Sequence, residues 1–326
     1  MKYFITGATG FIGGVLARQL REAGHEVIAV VRNPARAQDL AGLGVTLHQG
    51  DVTDKESMRA PMTDVDGVFH VAGWYKIGVR DKSQAHAINV EGTRNVLELI
   101  KELKIPKGVY TSTLAVNSDT HGVEVDENYR FKGEHISVYD QTKAKAHDVA
   151  IKMMKEGLPL VIVQPGLVYG IGDTSSLRST LISYLKKQLP VLPNKTALSW
   201  AHVDDIAHAH WLAMEKGRVG ESYNICGYTH TLVNAFEVAH EITGIRRPAT
   251  VPYQMIRAMS AIMYFFDKFI PVPENYTGEG LRIIAGVTYI GNNSKARREL
   301  GYNPRPLKEG LTETLHHEMK LLGMKI

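Results

Sequence analysis

The first half of the chain alternates short apolar runs with longer stretches in which apolar residues recur every three or four positions. Tyr3-Phe4-Ile5, Val27–Val31, Val45–Gln49, Val68–Val71, Lys107–Ser112 and Leu160–Val163 read as strands. The run Val27-Ile28-Ala29-Val30-Val31 has no polar alternation, so both of its faces are expected to be covered, as in a parallel sheet. Between strands, Phe11–Ala23 puts Ile12, Val15, Leu16 and Leu20 on one helical face and stops at Gly24. Asn89–Leu103 and Tyr139–Lys155 read as helices too. Alternation on this scale predicts an α/β fold: a doubly wound parallel sheet with right-handed crossovers.

After Pro165 the alternation loosens. Helices are expected at 176–189, 204–215, 232–243 and 252–269, with strand material at 194–204 and 221–226. This divides the chain into a first domain, 1–165 with a return segment 196–227, and a smaller, mainly helical lobe from 166–195 and 228–326. A length of 326 residues accommodates both.

Composition narrows the function classes. With 44 % apolar and 22 % charged residues the chain is ordinary globular material. Lys and Arg exceed Asp and Glu by 38 to 34, a surplus too small to argue for nucleic acid. The single cysteine, Cys226, allows no internal disulfide and no cysteine zinc cluster, which suits a reducing, cytoplasmic setting. Met1–Gly7 reaches glycine too soon for a signal peptide. The best membrane candidate, Met255–Ile270, is broken by Arg257, Asp267 and Lys268 and falls short of the ~20 apolar residues of a span. No membrane partner is expected. His208 and His210, two apart, splay on a helix, so with His202 they make a poor metal site and none is expected. Tyr264-Phe265-Phe266 reads as core or dimer packing.

The chemistry begins at Thr6-Gly7-Ala8-Thr9-Gly10-Phe11-Ile12-Gly13, three glycines three apart between a strand and a helix. Gly7 suits a tight turn, and Gly10 and Gly13 allow close approach of main chain to a pyrophosphate and of helix to strand. The N–H groups that open the helix then face the anion. After the second strand comes Arg32-Asn33-Pro34-Ala35-Arg36, with no carboxylate for an adenosine ribose 2′-OH and two arginines for a 2′-phosphate. That favours NADP(H), with NAD(H) possible. Asp51, in Gly50-Asp51-Val52, either accepts from the adenine amine or caps the next helix.

Tyr139-x-x-x-Lys143 places a phenol and an ammonium on one helical face. A nearby ammonium is expected to lower the phenol from its usual ~10 toward neutrality, making it a proton donor or acceptor at a carbonyl or alcohol oxygen. The fifth strand ends in Thr111-Ser112-Thr113, where a hydroxyl from Ser112 or Thr113 would face the ligand crevice. Trp74-Tyr75 opens the loop after the fourth strand and is placed for substrate contact.

In these motifs the chain resembles the extended short-chain dehydrogenase/reductases of the NAD-dependent epimerase/dehydratase superfamily, in their dihydroflavonol-reductase-like branch. His70-Val71-Ala72-Gly73, Asn89-Val-Glu-Gly-Thr93, Pro165-Gly-Leu-Val-Tyr-Gly170, His202-Val-Asp-Asp-Ile206 and Ser294–Tyr302 extend the match over nearly the whole chain. The resemblance implies a Rossmann sheet and a triad of Thr113, Tyr139 and Lys143. It implies a cofactor held by Gly7, Thr9, Gly10, Phe11, Ile12, Gly13, Arg32, Arg36, Asp51 and Val52. Val71, Ala72, Gly73, Thr111, Ser112, Tyr139, Lys143, Pro165, Gly166 and Val168 complete that set, with Lys143 on the nicotinamide ribose. Asn89 is implied as a brace, and a homodimer through the helices Asn89–Leu103 and Tyr139–Lys155. Gly73 and Thr113 stand where the family often has alanine and serine. The Arg-x-x-Asn run of many nucleotide-sugar epimerases is missing, and Leu114-Ala115 replaces the acidic residue that dehydratases add after the catalytic hydroxyl.

The expected activity is NADPH-dependent reduction of a ketone or aldehyde, with Trp74, Tyr75 and Tyr169 against the substrate. The alternatives are an epimerase or dehydratase of a nucleotide sugar that keeps its NAD(P) bound, and a dinucleotide-binding redox sensor without turnover.

Overall fold

A computed structural model describes residues 1–267 and 269–325. Seven parallel strands form the main sheet: β1 (Lys2–Thr6), β2 (Glu26–Val31), β3 (Thr46–Gln49), β4 (Gly67–His70), β5 (Gly108–Thr111), β6 (Leu160–Pro165) and β10 (Ser222–Ile225). Their order, β10-β6-β5-β4-β1-β2-β3, makes this the expected doubly wound sheet, and the chain reverses direction across it between β1 and β4. Both faces are covered, as the unbroken apolar runs require. Leu16 and Leu20 of the helix Phe11–Glu22 pack on one face with Ile206 and Ala213 of the helix Val203–Lys216. Val96, Leu97 and Ile100 of the helix Gly92–Glu102 pack on the other with Ala146 and Ala150 of the helix Val138–Lys155.

A four-stranded sheet lies beside it, built from β7 (Leu167–Tyr169), β9 (Ala197–His202), β11 (Thr229–Thr231) and β13 (Thr288–Tyr289). Two more strands, β8 (Val191–Pro193) and β12 (Ala249–Val251), pair with each other. Within the return segment 196–227, then, β10 joins the main sheet, whereas β9 pairs with β7, β11 and β13. Ala296, Leu300 and Tyr302, in and after the helix Ser294–Leu300, pack into the core on one face of the main sheet.

The aromatic run near 265 is not core: Tyr264, Phe265 and Phe266 are all exposed. The reason is one-sided packing, since their helix, Tyr253–Phe266, buries only Ile256 and Ser260. Lys268, inside the helix expected at 252–269, lies outside the described residues. No helix among the described residues is long and apolar enough to cross a membrane.

Candidate active site

The three glycines do separate work. Gly7 has φ +77°, a left-handed conformation that suits glycine, and a Cβ there would stand 2.6 Å from the Ala72 amide nitrogen. The turn after β1 thus lies against the end of β4. A Cβ on Gly13 would meet the Gly7 carbonyl oxygen at 2.2 Å, so the helix Phe11–Glu22 is seated on the turn. Gly10 precedes this helix and offers no side chain to cap it, so its opening N–H groups keep their capacity for an anion. This cradle, which side chains would fill, fits a dinucleotide pyrophosphate.

Arg32 and Arg36 lie exposed in the turn after β2, and neither joins an ion pair among the described residues. Asn33 shapes the turn by accepting from the Ala35 N–H at 3.1 Å. Asp51 accepts from the Thr53 N–H and hydroxyl, each at 2.8 Å, so its carboxylate orders its own loop, while Asp54 caps the following helix. Val52 is buried against Gly92.

The ends of β4 and β5 meet the helix Val138–Lys155. Ser137 caps that helix, accepting from the Asp140 N–H at 3.0 Å. Lys143, one turn further on, is buried and donates to the Thr111 carbonyl at 2.8 Å, with the Tyr110 hydroxyl at 3.5 Å. The Thr113 hydroxyl is near enough to the Tyr139 phenol to pull its pKa down. The oxygen of that hydroxyl also accepts from the Ala115 N–H at 3.2 Å, capping the turn Leu114–Asn117. Ser112 is otherwise engaged: its hydroxyl pairs with His147 Nδ1 at 2.8 Å. Of the two hydroxyls left open by the sequence, Ser112 is thus committed to His147, and Thr113 is the one that acts on the phenol's protonation.

The electrostatics differ from expectation. Burial pushes the Tyr139 phenol up to about 12, against the smaller downward pull of Thr113. Burial also pushes Lys143 down to about 7. Lys143 does not reverse the rise at the phenol, because the burial that causes it also disfavours the lysine's own charged form.

Asn89 ties the site together. Its side-chain oxygen accepts from the Trp74 N–H at 2.7 Å, and its amide donates to the Trp74 carbonyl and the Thr142 hydroxyl, both at 2.9 Å. It sits in a π-helical turn, Ala87–Glu91, an irregularity frequent at functional sites and invisible to a periodicity of 3.6. A Cβ on Gly73 would come only to 3.4 Å from Asn89 Oδ1 and 3.8 Å from Lys143 Nζ, so the position has room for alanine.

The aromatic contacts divide. Tyr75 is exposed and its hydroxyl meets Thr174 Oγ1 at 2.7 Å, bridging the loops after β4 and β7. Trp74 is buried beside Asn89. Tyr169, expected against the substrate, presents almost no surface. It is 1 % exposed and packs on Trp200 and His202 beneath the helix Leu307–Leu321, where Gly310 leaves room for its hydroxyl. Pro165 ends β6, Gly166 lies against the Ser199 carbonyl, and Val168 is half-buried in β7.

Sequence reasoning missed Glu279, whose buried carboxylate accepts from the Gly78 N–H at 2.9 Å and the Val138 N–H at 3.1 Å. It also missed Tyr289, which donates to Asp140 Oδ2 at 2.8 Å. Neither sits in a motif that marks it. His202, Asp204 and Glu313 bring ligand-type atoms within 4.8 Å of one another. Arg305 stands among them, 3.3 Å from Glu313 and 3.8 Å from Asp204, so a guanidinium already serves the carboxylates there.

A model of the NAD dependent epimerase/dehydratase family matches residues 3–226, and the chain belongs to that family. A Synechocystis sp. protein named, provisionally, as a dihydroflavonol 4-reductase is 30 % identical over 325 residues, covering 96 % of this chain and 93 % of its own. The Stigmatella aurantiaca 4-hydroxy-2-methyl-3-oxo-4-farnesyl-3,4-dihydroquinoline-1-oxide ketoreductase is 29 % identical, over 94 % and 92 %. The crystal structure of gox2253 superimposes with a TM-score of 0.85 at 28 % identity over 99 % of both chains. Fold and family together make this an NAD(P)-dependent oxidoreductase of the extended short-chain type.

Proposed function

We propose that the protein reduces a ketone or aldehyde with NADPH. The observation that carries the reading is the placement of Tyr139 and buried Lys143 one turn apart on one helix, with the Lys143 ammonium at the Thr111 carbonyl at the end of β5. A protonated phenol is a general acid, the role that carbonyl reduction demands at oxygen. When bound, NADPH supplies a hydride for the carbonyl carbon. Tyr139 gives its proton to the carbonyl oxygen, Thr113 orients that oxygen through its hydroxyl, and Lys143 holds the nicotinamide ribose. The printed names of both curated relatives above describe reductases, which supports the direction. The free Arg32 and Arg36, with no carboxylate at the end of β2, support NADPH over NADH.

The test follows nicotinamide absorbance with a panel of carbonyl compounds and nucleotide sugars. Carbonyl-dependent NADPH oxidation is expected, lost by a factor of about 10²–10⁴ in Tyr139→Phe with NADPH binding retained. Full turnover in Tyr139→Phe would sink the mechanism. Tightly held NAD(H) with nucleotide-sugar conversion and no net oxidation would replace it with an epimerase. Arg32→Asp should shift the preference toward NADH by about tenfold, read as the ratio of kcat/KM values.

A further inference from the structure

The helix Tyr253–Phe266 and the turn after it carry an apolar stripe that nothing among the described residues covers. Met255, Met259, Ile262 and Phe266 follow one another at steps of four, three and four, which keeps them on one helical face, and exposed Phe269 follows just beyond the helix. With Phe265 beside them, these side chains are 45–69 % exposed. The opposite face is committed inward, where the Ser260 hydroxyl donates to the Gly278 carbonyl at 2.8 Å. Gly278 brings its own helix, Gly278–Ile284, against the Tyr264 backbone. An exposed apolar stripe of this length marks an interaction surface.

Charge indicates what covers it. From Gly244 to Phe266 the chain has Arg246, Arg247 and Arg257 and no carboxylate. Arg247 pairs with Glu237, while Arg257 is exposed and joins no ion pair among the described residues. Lys195 lies over the Tyr253 ring at 5.6 Å, and Arg80 reaches the Asp267 carbonyl at 2.8 Å. The Asp267 carboxylate turns inward to the Gly278 N–H, and exposed Asp81 and Glu274 are the acids nearby in sequence to these elements. Methionines and aromatics on one face, flanked by cations, match an interfacial helix that lies in a bilayer surface rather than crossing it.

We propose that this helix and its following turn dock the protein on an anionic lipid surface. Glu279, on the helix behind the stripe, binds the Gly78 and Val138 N–H groups and forms an ion pair with Lys82 at 2.9 Å. The docking face is thereby fastened to the loop after β4 and to the start of the helix that carries Tyr139 and Lys143.

Cosedimentation with vesicles tests this without reference to turnover. The protein should pellet with phosphatidylcholine/phosphatidylglycerol vesicles, pellet less with phosphatidylcholine alone, and be released by raised salt. Ile262→Glu combined with Phe266→Glu should lower vesicle affinity about tenfold or more. An unchanged melting temperature shows that this variant is folded, and Arg257→Gln gives a milder loss of the same kind. The proposal is overturned if neither vesicle is bound, or if the folded double variant binds as well as the parent. It is also overturned if the protein forms a lipid-free dimer that the double variant dissociates, for then a second copy covers the stripe.

Discussion

Two adjacent hydroxyls, Ser112 and Thr113, show how a neighbour assigns a role. Both follow β5, and the sequence distinguishes them only by family position. Ser112 is paired with His147, which burial holds neutral and pushes down to about 4. Thr113 acts on the phenol's protonation. Ser112→Ala should leave kcat within a few-fold of the parent. It should cost about 1–3 kcal/mol of unfolding free energy, because a buried imidazole nitrogen loses its partner. Thr113→Val should lower kcat by about 10², and should also cost about 1 kcal/mol because the Ala115 N–H loses its cap. Steady-state kinetics and urea unfolding of both variants check this, and a catalytic loss in Ser112→Ala would exchange the roles. Tyr169 shows the opposite limit of legibility. Its place after β6 suggested the substrate, but the space that receives it is made by Gly310, some 140 residues away in sequence, and no local pattern announces such a partner.

At the scale of elements, strands buried on both faces were readable because they leave long apolar runs. Thus β2 and β6 stand out in the sequence. The strands β7, β8, β11, β12 and β13 span two or three residues each, too short for an alternation of period two to register. The glycine turn was legible as a cradle, but only the packing separates its positions. Gly13→Ala would drive a methyl into the Gly7 carbonyl, displacing the helix Phe11–Glu22 and its opening N–H groups, which in the proposed function hold the pyrophosphate. Gly73→Ala meets only ordinary contacts. NADPH titration should therefore show an affinity loss of about tenfold or more for Gly13→Ala, and values near the parent for Gly73→Ala. Similar losses in both would mean that the two turns do not act as described. The helices Asn89–Leu103 and Tyr139–Lys155, implied as a dimer seam, contribute none of the large exposed apolar side chains, whereas Tyr253–Phe266 contributes several. Charged groups such as Glu98, Glu102 and Lys55 form ion pairs along the first of them.

For the whole molecule, three buried histidines brace the sheet where the site is built. His70 spans Thr6 and Thr93, His147 holds Ser112, and His210 holds Thr111. His210 Nδ1 lies 2.7 Å from the Ile206 carbonyl and must donate to it, so Nε2 accepts from the Thr111 hydroxyl at 2.8 Å. All three are held neutral by burial, pushed down to about 3 for His70 and about 4 for the other two. Between those values and the ordinary histidine value near 6.5, the unfolded chain binds more protons than the folded one, so this contribution to stability rises with pH and is lost on acidification. Asp140 works the other way. Burial raises its carboxyl to about 7, so its contribution falls as pH rises from about 4 to 7. The observed slope is the sum of these opposing terms, and one variant isolates a histidine's share. In His210→Gln, the change of unfolding free energy between pH 5 and 6 should lose close to one proton's worth of upward slope, about 1.4 kcal/mol per pH unit at most. The glutamine amide can still donate to the Ile206 carbonyl, which limits the loss of stability at neutral pH. Urea unfolding at several pH values reads the slope directly. An unchanged slope would mean that His210 is protonated in the folded protein. In that state Nε2 could no longer accept the Thr111 hydroxyl, and the bond that holds Thr111 beside Lys143 would have to be remade.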